Sequence, residues 1–384
     1  MDARQIMEKL ISFPTVSRDS NLELIAWVED YLDGLGVKST RVMNAEGTKA
    51  NLYAHVGPEV DGGVVLSGHT DVVPVDGQAW DTDPWTVTEK DGKLFGRGTC
   101  DMKGFDALAL SAVPLALERG IKRPLQIALR RDEEIGCVGA PEMIDHMVAS
   151  GMPRASAAII GEPSMMKAVT GHKGGLGFKT HIHGFEVHSS LLHTGVCAIM
   201  QGAKLIQWAN EQNEINRAKT PSAQDAEFVP PWTTVHVHMI SGGTANNITA
   251  KDCVFNLGFR VLPGEDTAAY GAAYLAKVRE VEAEMQAIVP ETWIEISPFF
   301  DVPGLRPEQN GEAEALARQL TGDNGNHVVS YGTEAGQFQE RGYSSVICGP
   351  GDIAQAHQPN EFISIEQFKA GEAFISDLVD VLAS

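Results

Sequence analysis

Histidines and carboxylates recur just beyond short apolar runs, and side chains of these types together can bind a divalent metal and handle protons. VVLSGHTD places His69 and Asp71 after one such run, LQIALRRDEE places Glu133 and Glu134 after a second, and AAIIGEP places Glu162 after a third. SVICGPGDIAQAHQP brings His357 shortly beyond a fourth. His69 and Asp71 are two apart, so in extended chain both side chains point the same way and the carboxylate can steer the imidazole. Adjacent Glu133 and Glu134 cannot serve one function from one direction: one can bind metal while its neighbour reaches a water molecule. LFGRGTCDMKG surrounds Asp101 with glycines and opens a helix. Asp101 there is either an N-cap in a tight turn or a carboxylate bridging two cations about 3.5–4 Å apart.

Such groups converge if the runs are strands of an open parallel sheet, whose reactive residues sit beyond the carboxyl ends. Runs 63–67, 125–129 and 157–160 are almost continuously apolar, as strands covered on both faces are. Helical spacing appears at 22–33, at 102–119 with an interruption at Pro114, and around 141–148. Strand and helix in alternation predict a mostly parallel α/β sheet. The middle of the chain alternates instead, in GLGFKTHIHGFEVHSS, TTVHVHMISGG and CVFNLGFRVLP, with helices at 195–213 and 267–287. This reads as an inserted α+β domain. The α/β pattern is expected to resume with a strand at 293–296, a helix at 311–320, a strand at 345–348 and a closing helix after Ser364. The expected division is therefore 1–174 and 289–384 for the catalytic domain, with 175–288 inserted.

The 384 residues are 43% hydrophobic and 21% charged, enough for two domains with sizeable cores. A formal net charge of −21 argues against a nucleic-acid partner. No stretch reaches the roughly 18 apolar residues of a membrane span, and the first residues lack the pattern of a secretory signal. Five cysteines without a CxxC pair fit a reducing, cytoplasmic setting. Neither G-x-G-x-x-G nor G-x-x-x-x-G-K-[ST] follows the first strand, which sets aside a nucleotide-binding enzyme.

SGHTDVVP, GRGTCDMKG, DEEIGC, GEPS and GPGDIAQAHQP occur in the order seen in a dinuclear-zinc family of amidohydrolases and peptidases. The chain resembles that family, which includes acetylornithine deacetylases, desuccinylases, aminoacylases and carboxypeptidases, over essentially its whole length. The resemblance implies two Zn2+ ions, for which Co2+ or Mn2+ can substitute. His69, Asp101 and Glu162 match the ligands of one, Asp101, Glu134 and His357 those of the other, so Asp101 bridges. Asp71 matches the residue that orients the His69 ring and Glu133 the general base, with water as nucleophile. The inserted segment resembles a lid and dimerisation domain. It implies a homodimer in which His188 of GFEVHSS reaches the partner's site, close in sequence to His181 and His183. Asn247 in GGTANNI and Arg260 in GFRVLP match substrate contacts, and a guanidinium suits a carboxylate.

GRGTCDMKGF, DEEIGCVGAPEMI, GHKGGLGF and YGTEAGQF look most like the acetylornithine deacetylase branch. That implies cleavage of N2-acetyl-L-ornithine to ornithine and acetate, a step of arginine biosynthesis, with Tyr331, Thr333 and Glu334 lining or supporting the substrate side. Another N-acyl amino acid, an N-succinyl substrate or a dipeptide is the alternative. A non-catalytic member would have lost Glu133 or a ligand, and none is lost. One departure stands out: Arg130 and Arg131 precede the glutamate pair where the family has small and aromatic residues. Extended geometry puts Arg131 on the side of Glu133 and Arg130 opposite. A cation at the pocket would disfavour the ornithine side chain.

Overall fold

The apolar runs become the inner strands of an eight-stranded sheet in the computed structural model, which describes residues 1–384. Gly63–His69 and Leu125–Arg130 are buried along their whole length, as strands covered on both faces must be. Ala155–Pro163 and Ser344–Gly349 complete a parallel core of four strands. Ser39–Met43 and Ala50–Val56 extend one side antiparallel, and Val169–His172 and His327–Val329 lie at the other. The fold class is thus α/β with a mostly parallel central sheet.

The helix Lys103–Arg119 packs against this sheet and against the helices Ala3–Ile11 and Ile365–Ala383. Phe105, Leu108, Leu378 and Leu382 share a core with Leu66, Ile127, Leu129 and Ile159. Pro114 does not interrupt this helix. A proline cannot donate to the carbonyl four residues back, and here the Tyr31 hydroxyl donates to that carbonyl, of Leu110, at 3.5 Å.

Two compact units divide the chain. One comprises Met1–Gly171, Leu305–Val328 and Thr333–Ser384; the other comprises His172–Gly304 and Val329–Gly332. The second holds a four-stranded antiparallel sheet in the order Thr234–Gly242, Asp252–Val261, Gly174–His183, Trp293–Val302. The helices Ala198–Ala218 and Thr267–Gln286 supply Leu205, Ala209, Tyr274 and Val278 to a core with Phe178, Ile182, Phe255 and Leu257. Trp293–Val302 departs from expectation. Instead of returning to the parallel sheet it pairs antiparallel with Gly174–His183, Glu295 opposite His181 and Trp293 opposite His183. Only Ile294 and Val302 are buried along it, so most of the strand is open to solvent.

Candidate metal centre

The first unit brings His69, Asp71, Asp101, Glu133, Glu134, Glu162 and His357 together. His69 ends its strand, Glu162 is the last residue but one of its own, and the Glu133–Glu134 pair follows the strand Leu125–Arg130 after two residues. Asp101 sits ahead of the helix Lys103–Arg119, and the Asp101–Met102 peptide is cis. His357 stands in the loop beyond Ser344–Gly349 with φ of +64°.

Asp101 lies between the two imidazoles. His69 Nε2 is 2.9 Å from its Oδ1 and His357 Nε2 is 3.2 Å from its Oδ2. Glu134 Oε2 is 2.9 Å from His357 Nε2, and Glu162 Oε1 is 3.9 Å from His69 Nε2. Potential ligand atoms of His69, Asp101 and Glu134 lie within 4.8 Å of one another, and so do those of His69, Glu133 and Glu162. The two sets share His69, and Asp101 belongs to the first of them.

Electrostatics describe a site short of positive charge. Burial, with the Asp101 charge beside it, pushes Glu134 up to about 8, and burial drives Glu162 well above the ordinary carboxylate range. Burial also opposes ionisation of Asp101, yet hydrogen bonds from His357 and His69 outweigh it and hold that carboxyl below its usual value. The same bonds to Asp101 and Glu134 lift His357 to about 10. Glu134 Oε1 is buried without a hydrogen-bond partner. Two imidazole nitrogens, three buried carboxylates and an orphaned carboxylate oxygen fit divalent cations, with N and O donors in the mixture zinc accepts.

A second layer holds these groups in place, in part differently from expectation. His69 Nδ1 meets the main-chain carbonyl of Asp71 at 2.8 Å, while the Asp71 carboxylate is 3.7 Å away. Asp71 thus aligns the ring through its backbone. Its carboxylate accepts from the amides of Glu133 and Glu134 at 3.1 and 3.3 Å and from the Ser17 hydroxyl at 2.7 Å, which fixes the glutamate pair. The Cys137 thiol donates to Glu133 Oε1 at 3.1 Å. Glu361 escaped the sequence reading: its Oε1 accepts from the amides of Gly98, Cys100 and Asp101 at 2.9–3.0 Å, and Arg97 neutralises Oε2 at 2.7 Å. A glutamate four residues past His357, just before the last strand, was its only signal.

The two arginines exchange their expected places. Arg130 is fully buried, pairs with Glu334, lies 3.2 Å from Glu162 Oε1 and comes within 4.0 Å of Glu133. Arg131 turns to Asp132 and Glu142. The strand ends at Arg130, and Asp132 is left-handed with φ of +58°, so alternation does not carry through to Glu133.

The remaining expected substrate-side residues fall in different places. Thr333 and Glu334 belong to the first unit and are buried: Thr333 accepts from the Ala335 amide at 3.1 Å, and Glu334 takes the Arg130 pair and the Ser67 hydroxyl. Glu334 Oε2 is buried without a hydrogen-bond partner. Tyr331, His188, Asn247 and Arg260 belong to the second unit. The Ser190 amide donates to His188 Nδ1 at 3.3 Å, which assigns the ring proton to Nε2. Asn247 accepts the Ser189 amide at 2.9 Å through its backbone, and Arg260 is half-buried opposite Gly175.

Peptidase family M20/M25/M40 matches residues 65–381. An acetylornithine deacetylase of Myxococcus xanthus is 33% identical over 98% of this chain and 96% of its own, and one of Pasteurella multocida is 34% identical over the same shares. An M20 family metallo-carboxypeptidase of Sulfolobus solfataricus superposes with a TM-score of 0.82 at 17% identity, covering 100% of both chains. A dinuclear metal binding peptidase from the M20 family of Bacillus subtilis gives 0.64 at 16%, covering 99% of this chain and 97% of its own. At such identities these two structures speak for the fold alone. The chain belongs to peptidase family M20/M25/M40 and is a metal-dependent amidohydrolase.

Proposed function

We propose that this enzyme hydrolyses the amide of an N-acyl amino acid, with N2-acetyl-L-ornithine as the leading substrate, at a pair of zinc ions. The observation that carries the reading is Asp101 set between the Nε2 atoms of His69 and His357, with Glu162 and Glu134 completing one set each. The relatives named acetylornithine deacetylase, similar over 98% of the chain, support this substrate. So does the placement of Arg130. Its charge is matched by Glu334 and Glu162 and is sealed from solvent, so it presents no free cation to repel an ornithine side chain.

His69, Asp101 and Glu162 would hold one ion, and Asp101, Glu134 and His357 the other. When bound, two zinc ions supply Lewis acidity, which acidifies water and polarises the amide carbonyl. Glu133 takes the proton from the attacking water and returns it to the departing amine, so one water and one amide yield one acid and one amine. Asp71 holds the Glu133 and Glu134 backbones during that transfer, and Glu361 holds the Asp101 loop. His188, with its proton on Nε2, donates to the oxygen that gains charge, across a homodimer as the family resemblance implies. Asn247 and Arg260 bind the substrate's polar ends.

The test is turnover by zinc-loaded protein on N2-acetyl-ornithine, other N-acetyl amino acids, N-succinyl amino acids and dipeptides. The expected result is the highest kcat/KM on N2-acetyl-ornithine. A preference for dipeptides or N-succinyl amino acids would overturn the substrate but leave the amide chemistry standing.

A further inference from the structure

His181 and His183 lie two apart on the strand Gly174–His183, so both rings stand on one face of the smaller sheet. The opposite face is the one packed under the helices, as buried Thr180 and Ile182 show. Register puts two carboxylates on the same face as the histidines: Glu295 is paired with His181 on one neighbouring strand, and Asp252 with His183 on the other. One ring nitrogen of each histidine and a carboxylate oxygen of Glu295 all lie within 4.8 Å of one another.

The local bonding resembles a prepared ligand set. Asp252 Oδ1 is 2.8 Å from His181 Nε2, a carboxylate on one ring nitrogen that leaves Nδ1 with its lone pair. His183 is stacked flat on Trp293, with centroids 3.8 Å apart and planes at 9°, which fixes its plane. Its Nε2 is buried with no hydrogen-bond partner, 3.7 Å from Glu295 Oε2. Both carboxylates are 52% exposed, so an ion can enter from solvent. Around a tetrahedral ion, ligand atoms about 2.0–2.1 Å from the metal stand roughly 3.4 Å apart, so side-chain rotation of about an ångström closes the set.

We infer that His181, His183 and Glu295 form a third divalent-cation site, oriented by Asp252 and built from residues with no part in the hydrolytic set. Two imidazoles and a carboxylate select zinc, copper(II) or nickel(II) over magnesium or calcium. The bound ion clips the edge strand Trp293–Val302 to its only sheet neighbour.

Zinc is the probe. Full-length enzyme is equilibrated with buffered zinc, and its content is measured by elemental analysis beside a calorimetric titration. Wild type should hold one more zinc per chain than the His181→Ala, His183→Ala double variant, whose amide hydrolysis stays unchanged. Asp252→Asn should keep the site and weaken it about 10-fold. Zinc should also raise the melting temperature of wild type more than that of the double variant, each compared with its own metal-free form. Equal zinc content and superimposable titrations in wild type and double variant would overturn the site. Because hydrolysis is read separately, failure here is distinguishable from failure of the proposed catalysis.

Discussion

Glu133 is held at both ends, its amide on the Asp71 carboxylate and its Oε1 on the Cys137 thiol, so its carboxylate has a defined direction. Glu133→Gln keeps the shape and the amide bond but removes the proposed proton acceptor. We expect metal content to stay at the wild-type level while kcat falls by about 10²–10⁴, the usual contribution of a general base. Retained turnover would remove Glu133 from that role. Arg130 offers a different test, because its cation is buried among Glu334, Glu162 and Glu133. Deleting one partner of a buried pair leaves the other uncompensated, at a cost of about 3–5 kcal/mol. Arg130→Met should lower the denaturation midpoint accordingly, and adding Glu334→Gln should recover part of the loss. Additive losses in that double-mutant cycle would show the pair to be uncoupled. Sequence alternation assigned this inward position to Arg131, because nothing in RRDEE announces that Asp132 turns left-handed.

Among the elements, the helix Lys103–Arg119 sets the site's precision, since Asp101 precedes it. Two strand glycines let it approach the sheet. A Cβ on Gly161 would fall 2.0 Å from the Phe105 ring, and one on Gly68 would fall 2.0 Å from Asp106 Oδ1. Both glycines adjoin expected ligands, Glu162 and His69. Gly161→Ala must therefore push the helix from the strand, and overpacking of this kind costs about 1–3 kcal/mol. The expected outcome is lower thermal stability together with weaker metal binding. A calorimetric titration matching wild type would show that helix and strand do not share the metal site's geometry. The elements carrying the proposed ligands were readable in the sequence because strands covered on both faces make short continuous apolar runs, each ended by its polar residue. Which sheet a strand joins was not readable in this way. Trp293–Val302 carries little beyond Trp293, Ile294 and Ile296 to suggest a strand at its start, and its allegiance is settled by pairing with Gly174–His183.

For the whole molecule, the spacing of the proposed ligands matters more than any one of them. His69, Asp101, Glu134, Glu162 and His357 span most of the 384 residues, and the second unit interrupts the chain between Glu162 and His357. Five motifs in order make these candidate residues legible in the sequence. Glu361, which secures the Asp101 loop through three amides, was not, because a buried carboxylate reads in sequence like any surface acid. Only the folded chain gathers these donors, so cations binding there bind the native state and stabilise it by linkage. The chain is also acidic, with a formal net charge of −21, and its buried Glu134 and Glu162 are pushed toward their neutral forms when no cation faces them. Stripping metal with a chelator should lower the unfolding midpoint, and returning zinc at about a hundred times its dissociation constant should restore about 2.7 kcal/mol per site. In Asp101→Asn one imidazole would face an amide oxygen and the other an amide nitrogen, neither of them charged, and the zinc-dependent gain should shrink. Wild type whose denaturation curve is indifferent to chelator would mean that these side chains do not hold the ions on which the proposed hydrolysis depends.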